Sequence, residues 1–120
     1  RTIAGDTEMT LAGWVADTMD AADFLDSNLS SQRVPDADNV SVSTNTGRLR
    51  SDTMDAALAA YRARRDAASL AAVMAQVTES APLVPIAYGP TTAALSFDVQ
   101  GFKPSPLGIF PLNELDLAPR

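Results

Sequence analysis

Apolar residues along this chain fall into short continuous runs and longer stretches with a helical repeat, and the two patterns predict different elements. Residues 8–15, with Met9, Leu11, Trp14 and Val15, make a short apolar run that predicts a buried strand. From 20 to 30 the apolar positions Ala21, Phe24, Leu25 and Leu29 recur at helical spacing. Asp17 or Thr18 is the expected N-cap there, and Asp20 and Asp23 suit the positive end of the helix dipole. Residues 32–47 contain Pro35, Gly47 and many Ser, Thr, Asn and Asp, which predicts a long loop or a mobile flap. Ser51-Asp52 then opens a helix with Met54, Ala57, Leu58 and Tyr61 on one face and Asp55, Arg62, Arg64 and Arg65 largely off it. Its arginines fall in the last turn, where they oppose the negative end of the dipole. Asp66 opens a further helix with Leu70, Val73, Met74 and Val77 at the same repeat, closed by Pro82. The tight junction Arg65-Asp66-Ala67 makes these two helices an antiparallel pair.

After Pro82 the pattern changes. Residues 83–88 and 93–97 predict two short strands separated at Gly89-Pro90, and Pro85 assigns the first to a sheet edge or a crossover between sheets. Residues 99–120 are rich in Gly and Pro, with brief extended stretches such as 112–117. No order of these strands closes a sheet, so the run at 8–15 is expected to need other polypeptide beside it. The opening Arg1-Thr2-Ile3-Ala4-Gly5, without methionine, reads as a piece of a longer polypeptide.

Composition narrows the chemistry. A chain of 120 residues with 46% hydrophobic content can build one domain core. Nine basic against fifteen acidic residues give a net charge of -6, a poor surface for nucleic acid. With neither cysteine nor histidine, thiol chemistry, disulfides, imidazole bases and the common zinc ligand sets are excluded. No apolar run approaches the ~20 residues of a membrane-spanning helix.

The most informative stretch is Leu11-Ala12-Gly13-Trp14-Val15-Ala16-Asp17, which puts the sole tryptophan three residues ahead of an acid where an apolar run gives way to a helix. An indole and a carboxylate at such a corner can line a cleft. The same residues also read as a core tryptophan and a helix cap, and the residues alone leave both open. Acids at 17, 20, 23 and 26 have a three-residue spacing, unlike the alternating ligands of a calcium loop, and read as caps and a solvated face. The Met and Tyr positions of the later helices read as packing.

Taken in order, these motifs resemble the C-terminal quarter of the family 5 extracytoplasmic solute-binding proteins, the dipeptide, oligopeptide and nickel-type binding components of ABC importers. The matching stretches are Gly13-Trp14-Val15-Ala16-Asp17 with Asp20, Phe24 and Leu25, then Asp55-Ala56-Ala57-Leu58, then Asp66 with Leu70. Ala81-Pro82-Leu83-Val84-Pro85-Ile86-Ala87-Tyr88-Gly89 and Val99-Gln100-Gly101-Phe102-Lys103-Pro104-Ser105-Pro106-Leu107-Gly108 follow in the family's order. The chain departs from the pattern at Ala21, where a proline is usual, and at Ser69, near which an arginine is common.

The resemblance implies an α/β fold, the C-terminal fragment of a two-lobed, type II, Venus-flytrap-like periplasmic-binding-protein clamp. Residues 1–81 would belong to the second lobe, and 82–120 would recross the hinge and pack on the first. The implied function is non-enzymatic: capture of a peptide or similar small solute between the lobes and delivery to an ABC permease, outside the cytoplasm, in the periplasm or on a lipid anchor at an N-terminal portion absent here. That portion would complete the clamp, and no cofactor or metal is called for. By the same resemblance Asp17 would receive a ligand ammonium, Trp14 would line the pocket, and Tyr88 is a further candidate ligand contact. A transport-inactive sensory or regulatory module on the same fold is the alternative. A carboxylate hydrolase built on Asp17 and Asp20 is a second rival, which needs two acids in one pocket with separated pKa values.

Overall fold

The computed structural model describes residues 5–36, 43–90 and 92–118, and it divides into two units, Arg1–Pro85 and Ile86–Arg120. The first is helical. Helix α1 (Ala21–Leu29) begins at Asp20, whose carboxylate accepts the Ala22 N–H at 2.9 Å, so Asp20 is the N-cap in place of Asp17 or Thr18. The Thr18 hydroxyl instead accepts the Asp20 N–H at 3.2 Å, which closes the turn ahead of the helix. Helix α2 (Asp52–Arg64) is capped by Ser51, which accepts the Met54 N–H at 3.2 Å.

Arg65, in the left-handed conformation at φ 52°, ends α2 by donating its N–H to the Tyr61 carbonyl. Asp66 at once caps α3 (Ala67–Ser80) by accepting the Ser69 N–H at 2.7 Å and the Ser69 hydroxyl at 2.6 Å. With only these two residues between them, α3 folds back along α2 as the expected helical hairpin.

The buried core joins Ala22, Leu25 and Leu29 of α1 to Met54, Leu58 and Tyr61 of α2 and Val73 of α3. Leu49, Ala57, Leu70, Val77 and Leu83 pack against it. On α2 the expected face is the buried one. On α1 the helix is rotated from expectation: Ala22 replaces Ala21 in the core and Phe24 is left partly exposed. On α3, Met74 is exposed, and beside the expected Val73 the buried position is Ser69, whose hydroxyl is already satisfied by Asp66.

The polar segment 32–47 is more tightly held than a flap, as far as its described residues go. Ser31–Arg33 form a 3₁₀ turn capped by Ser30. The Thr44 and Asn45 N–H groups donate to the Arg33 carbonyl at 3.1 and 2.9 Å, and the Thr44 hydroxyl donates to the Ser27 carbonyl. Asn45, 1% exposed, donates its amide to the carbonyls of Ser30 and Leu49, both at 3.0 Å, and accepts the Leu49 N–H. The Ser31 N–H reaches Asp55 of α2 at 2.9 Å, and the Ser31 hydroxyl accepts the Ser51 N–H. Abundant Ser, Thr and Asn therefore bolt the end of α1 to the start of α2. Residues 37–42, the middle of the expected flap, lie outside the described residues.

The expected strands at 8–15, 83–88 and 93–97 are not strands among the described residues. Each run has the apolar content of a strand and meets no second strand to share a ladder, and without one an extended segment stays irregular. Among the described residues strand pairing is confined to the second unit, where β1 (Val99–Gln100) runs antiparallel to β2 (Asp116–Leu117), Val99 opposite Leu117. Residues 112–117, expected to be extended, start as a 3₁₀ turn at Leu112–Glu114 before entering β2. Phe102 and Phe110 pack at 5.1 Å between centroids, and Lys103 pairs with Glu114 at 2.6 Å across this arch. No helix of the described residues is long and apolar enough to cross a membrane.

Candidate functional site

Residues 11–16 are extended and then bend through 17–20 into α1, so Trp14 and Asp17 sit on the approach to the first turn of that helix. Trp14 is 37% exposed and stands edge-on to Phe24, with centroids 6.1 Å apart and an interplanar angle of 77°. Edge-to-face packing of this kind sets the orientation of the ring pair.

The four aspartates between 17 and 26 divide by what they hold. Asp20 caps α1, pairs with Arg65 and accepts the Tyr61 hydroxyl at 3.4 Å, while Arg65 also lies 5.7 Å from the Tyr61 ring centroid. Asp26 pairs with Arg62 at 3.0 Å. One carboxylate oxygen of Asp23 accepts two backbone donors, the Asp17 N–H at 2.6 Å and the Thr18 N–H at 3.1 Å. The Asp17 carboxylate has no hydrogen-bond or ion-pair partner among the described residues.

Asp17 is not a cap, and Trp14 is not a core residue: it packs on one aromatic edge at the surface of the unit. The same pattern leaves Asp17 and Asp20 without the shared pocket a pair of catalytic carboxylates needs, because Asp20 is committed to Arg65 and to the helix. An open depression of about 520 Å³ adjoins the bend, lined by Thr18, Asp20, Asp23, Asp26, Arg33 and Arg65. Its acids are the ones already engaged, and neither Trp14 nor Asp17 lines it.

Tyr88 belongs to the other unit, where it is 95% exposed, with no hydrogen bond or ring contact among the described residues. Two side chains read from the sequence only as parts of α1 prove to contact the candidate pair: Asp23, expected to suit the helix dipole, holds the backbone beneath Asp17, and Phe24, expected on the apolar face, meets the Trp14 ring. The helical repeat counted Phe24 with the buried stripe, and only the rotation of α1 that puts Ala22 in the core turns its ring toward Trp14. No family model, no curated protein and no solved structure matches this chain.

Proposed function

We propose that this chain is the C-terminal portion of an extracytoplasmic solute-binding component of an ABC importer, in which Asp17 receives the ammonium of a peptide or similar small solute beside the Trp14 ring. One observation carries the reading: of four neighbouring aspartates, Asp17 alone has a carboxylate with no partner among the described residues, and it stands three residues from a partly exposed indole set edge-to-face against Phe24. A carboxylate receives a cation as a charge-assisted hydrogen bond, and an indole face adds an apolar wall or a cation-π contact. The runs at 8–15 and 83–88 support the wider picture. Leu11 is 83% exposed and Val15, Val84 and Ile86 are exposed as well, as strands detached from their sheet would be. On this reading the rest of the clamp supplies the neighbouring strands and the opposite wall of the pocket, closure on the solute favours one of two lobe arrangements, and a permease reads the closed one.

The test is calorimetric, on the complete binding protein that carries this chain, with a library of free-amino tripeptides and their N-acetylated counterparts as probes. The free-amino peptides should bind and the acetylated ones should not. Asp17→Asn should weaken binding by about 2–5 kcal/mol, the range for removing one partner of a buried charge pair, with helix content unchanged because Asp20 holds the cap. Failure of every free-amino peptide to bind, or equal affinity in the Asn variant, overturns the reading.

A further inference from the structure

Asp17 and Trp14 lie on a stretch of backbone that has no sheet to hold it, yet both have defined positions, and the source of that order is the first turn of α1. Asp23 and Phe24 are adjacent there. The Asp23 carboxylate gathers the N–H groups of Asp17 and Thr18 on one oxygen, and the Phe24 ring meets the Trp14 ring edge-on. The turn itself is anchored, since Asp20 caps it and the neighbouring Ala22 and Leu25 are core residues.

We propose that Asp23 and Phe24 are positioning residues for the candidate pair: together they bracket the 14–18 segment against α1, so that the orientation of the Trp14 ring and of the backbone that carries the Asp17 carboxylate is set before any solute arrives. The inference rests on the proposed binding role of Asp17 and Trp14 and adds to it that the pair is pre-organised from behind by side chains that do not touch the solute. The two contacts are complementary. A carboxylate accepting two successive N–H groups fixes the backbone at Asp17 without using the Asp17 side chain, and an edge-on ring fixes the indole plane without covering both its faces. Pre-organisation raises affinity by sparing the solute the cost of ordering the site. If loss of a bracket leaves the poised arrangement populated about one-tenth of the time, apparent affinity falls about tenfold.

The bracket can be tested because Trp14 is the chain's sole tryptophan, and Phe24 and Asp23 are not core residues. Four variants of the complete binding protein suffice: Phe24→Leu, which keeps an apolar side chain and removes the ring; Phe24→Tyr, which keeps the ring; Asp23→Ala; and Asp23→Asn, which keeps an acceptor oxygen. Tryptophans elsewhere in that protein are replaced by Phe, so that near-ultraviolet circular dichroism and emission report Trp14 alone. In Phe24→Leu and Asp23→Ala the Trp14 dichroism band should collapse and the emission shift to the red in the absence of any peptide, and tripeptide affinity should fall about tenfold. Phe24→Tyr and Asp23→Asn should restore both signals, with far-ultraviolet dichroism the same throughout. An unchanged Trp14 signal in Phe24→Leu and Asp23→Ala overturns the bracket, as does a lost signal with unchanged tripeptide affinity. Either result leaves the binding role standing so long as Asp17→Asn still weakens affinity, whereas wild-type affinity in Asp17→Asn removes the binding role and the positioning role with it, even where the Trp14 signal moves.

Discussion

At the scale of single residues, the junction between α2 and α3 holds a titrating helix cap. The Ser69 hydroxyl and then the Ser69 N–H, both donating to the Asp66 carboxylate, hold its pKa below the ordinary aspartate value of 3.8, with Arg64 adding a smaller pull the same way and burial opposing them. A depressed folded-state pKa means that the charged cap stabilises the fold fully above the unfolded value, and that this contribution is lost as pH falls through the lower folded-state value. Wild-type stability should therefore decline below about pH 4 more steeply than that of Asp66→Asn, in which the cap persists without a titrating group. Chemical unfolding between pH 2 and pH 6 checks this, and parallel curves for the two proteins would refute it. Ala81, at φ 42° on the C-terminal end of α3, is a second point of leverage. Left-handed backbone costs a residue with a Cβ roughly 1–2 kcal/mol, and glycine gives back about 0.4–1 kcal/mol in unfolded-chain entropy, so Ala81→Gly should stabilise the unit by about 0.5–1 kcal/mol. Arg65 shares the conformation, but its side chain pairs with Asp20 and lies beside Tyr61, so glycine there forfeits what it relieves.

At the scale of elements, the contrast is between helices that carry their own instructions and strands that do not. Each helix has its cap in the sequence directly before it and its buried residues at the helical repeat, and the three were legible to within a turn. The apolar runs at 8–15 and 83–88 have composition and no partner, and a strand is a property of a pair. Pairing occurs instead where a turn enforces it. Gly101, at φ 77°, sits where a Cβ would fall 2.1 Å from the Glu114 carbonyl oxygen, so the arch between β1 and β2 closes only over glycine. Gly101→Ala should break the pairing and expose the Ala118 N–H, which donates to the Asp98 carbonyl at 2.7 Å. Gly108→Ala, at φ 69° but in open space, should strain its turn and leave that hydrogen bond intact. Amide exchange at Ala118 in the two variants separates the close approach from the backbone angle, and equal protection in both would show that Gly101 is not the clasp.

For the whole molecule, the sequence made the pair Trp14 and Asp17 visible and hid what holds it. The rotation of α1 that sends Leu25 inward and Phe24 back toward Trp14 is decided by packing against α2, and helical spacing alone places Ala21 or Ala22 inward about equally well. The polar segment 32–47 misled for a related reason: Asn and Thr favour loops, and here Thr44 and Asn45 spend their hydrogen bonds on α1 and on the approach to α2. That bolt has a further consequence, in time. The α2–α3 hairpin forms across a two-residue junction and can assemble from local contacts, whereas seating Asn45 requires the chain from α1 to α2 to have closed into a loop. The hairpin should therefore lead and the bolt should follow. Leu58→Ala, which removes about 2–5 kcal/mol of core, should act chiefly by slowing folding. Asn45→Ala, which strands buried polar groups at a cost of about 2–3 kcal/mol, should leave the folding rate near wild type and speed unfolding by roughly 30- to 150-fold. Stopped-flow measurements across denaturant read both limbs, and an Asn45 variant that folds as slowly as the Leu58 variant would place the bolt before the hairpin. With that order, a chain that has lost the bolt reaches its fold as fast as any other and cannot keep it, so the polar clasp at Asn45 governs the lifetime of the helical unit.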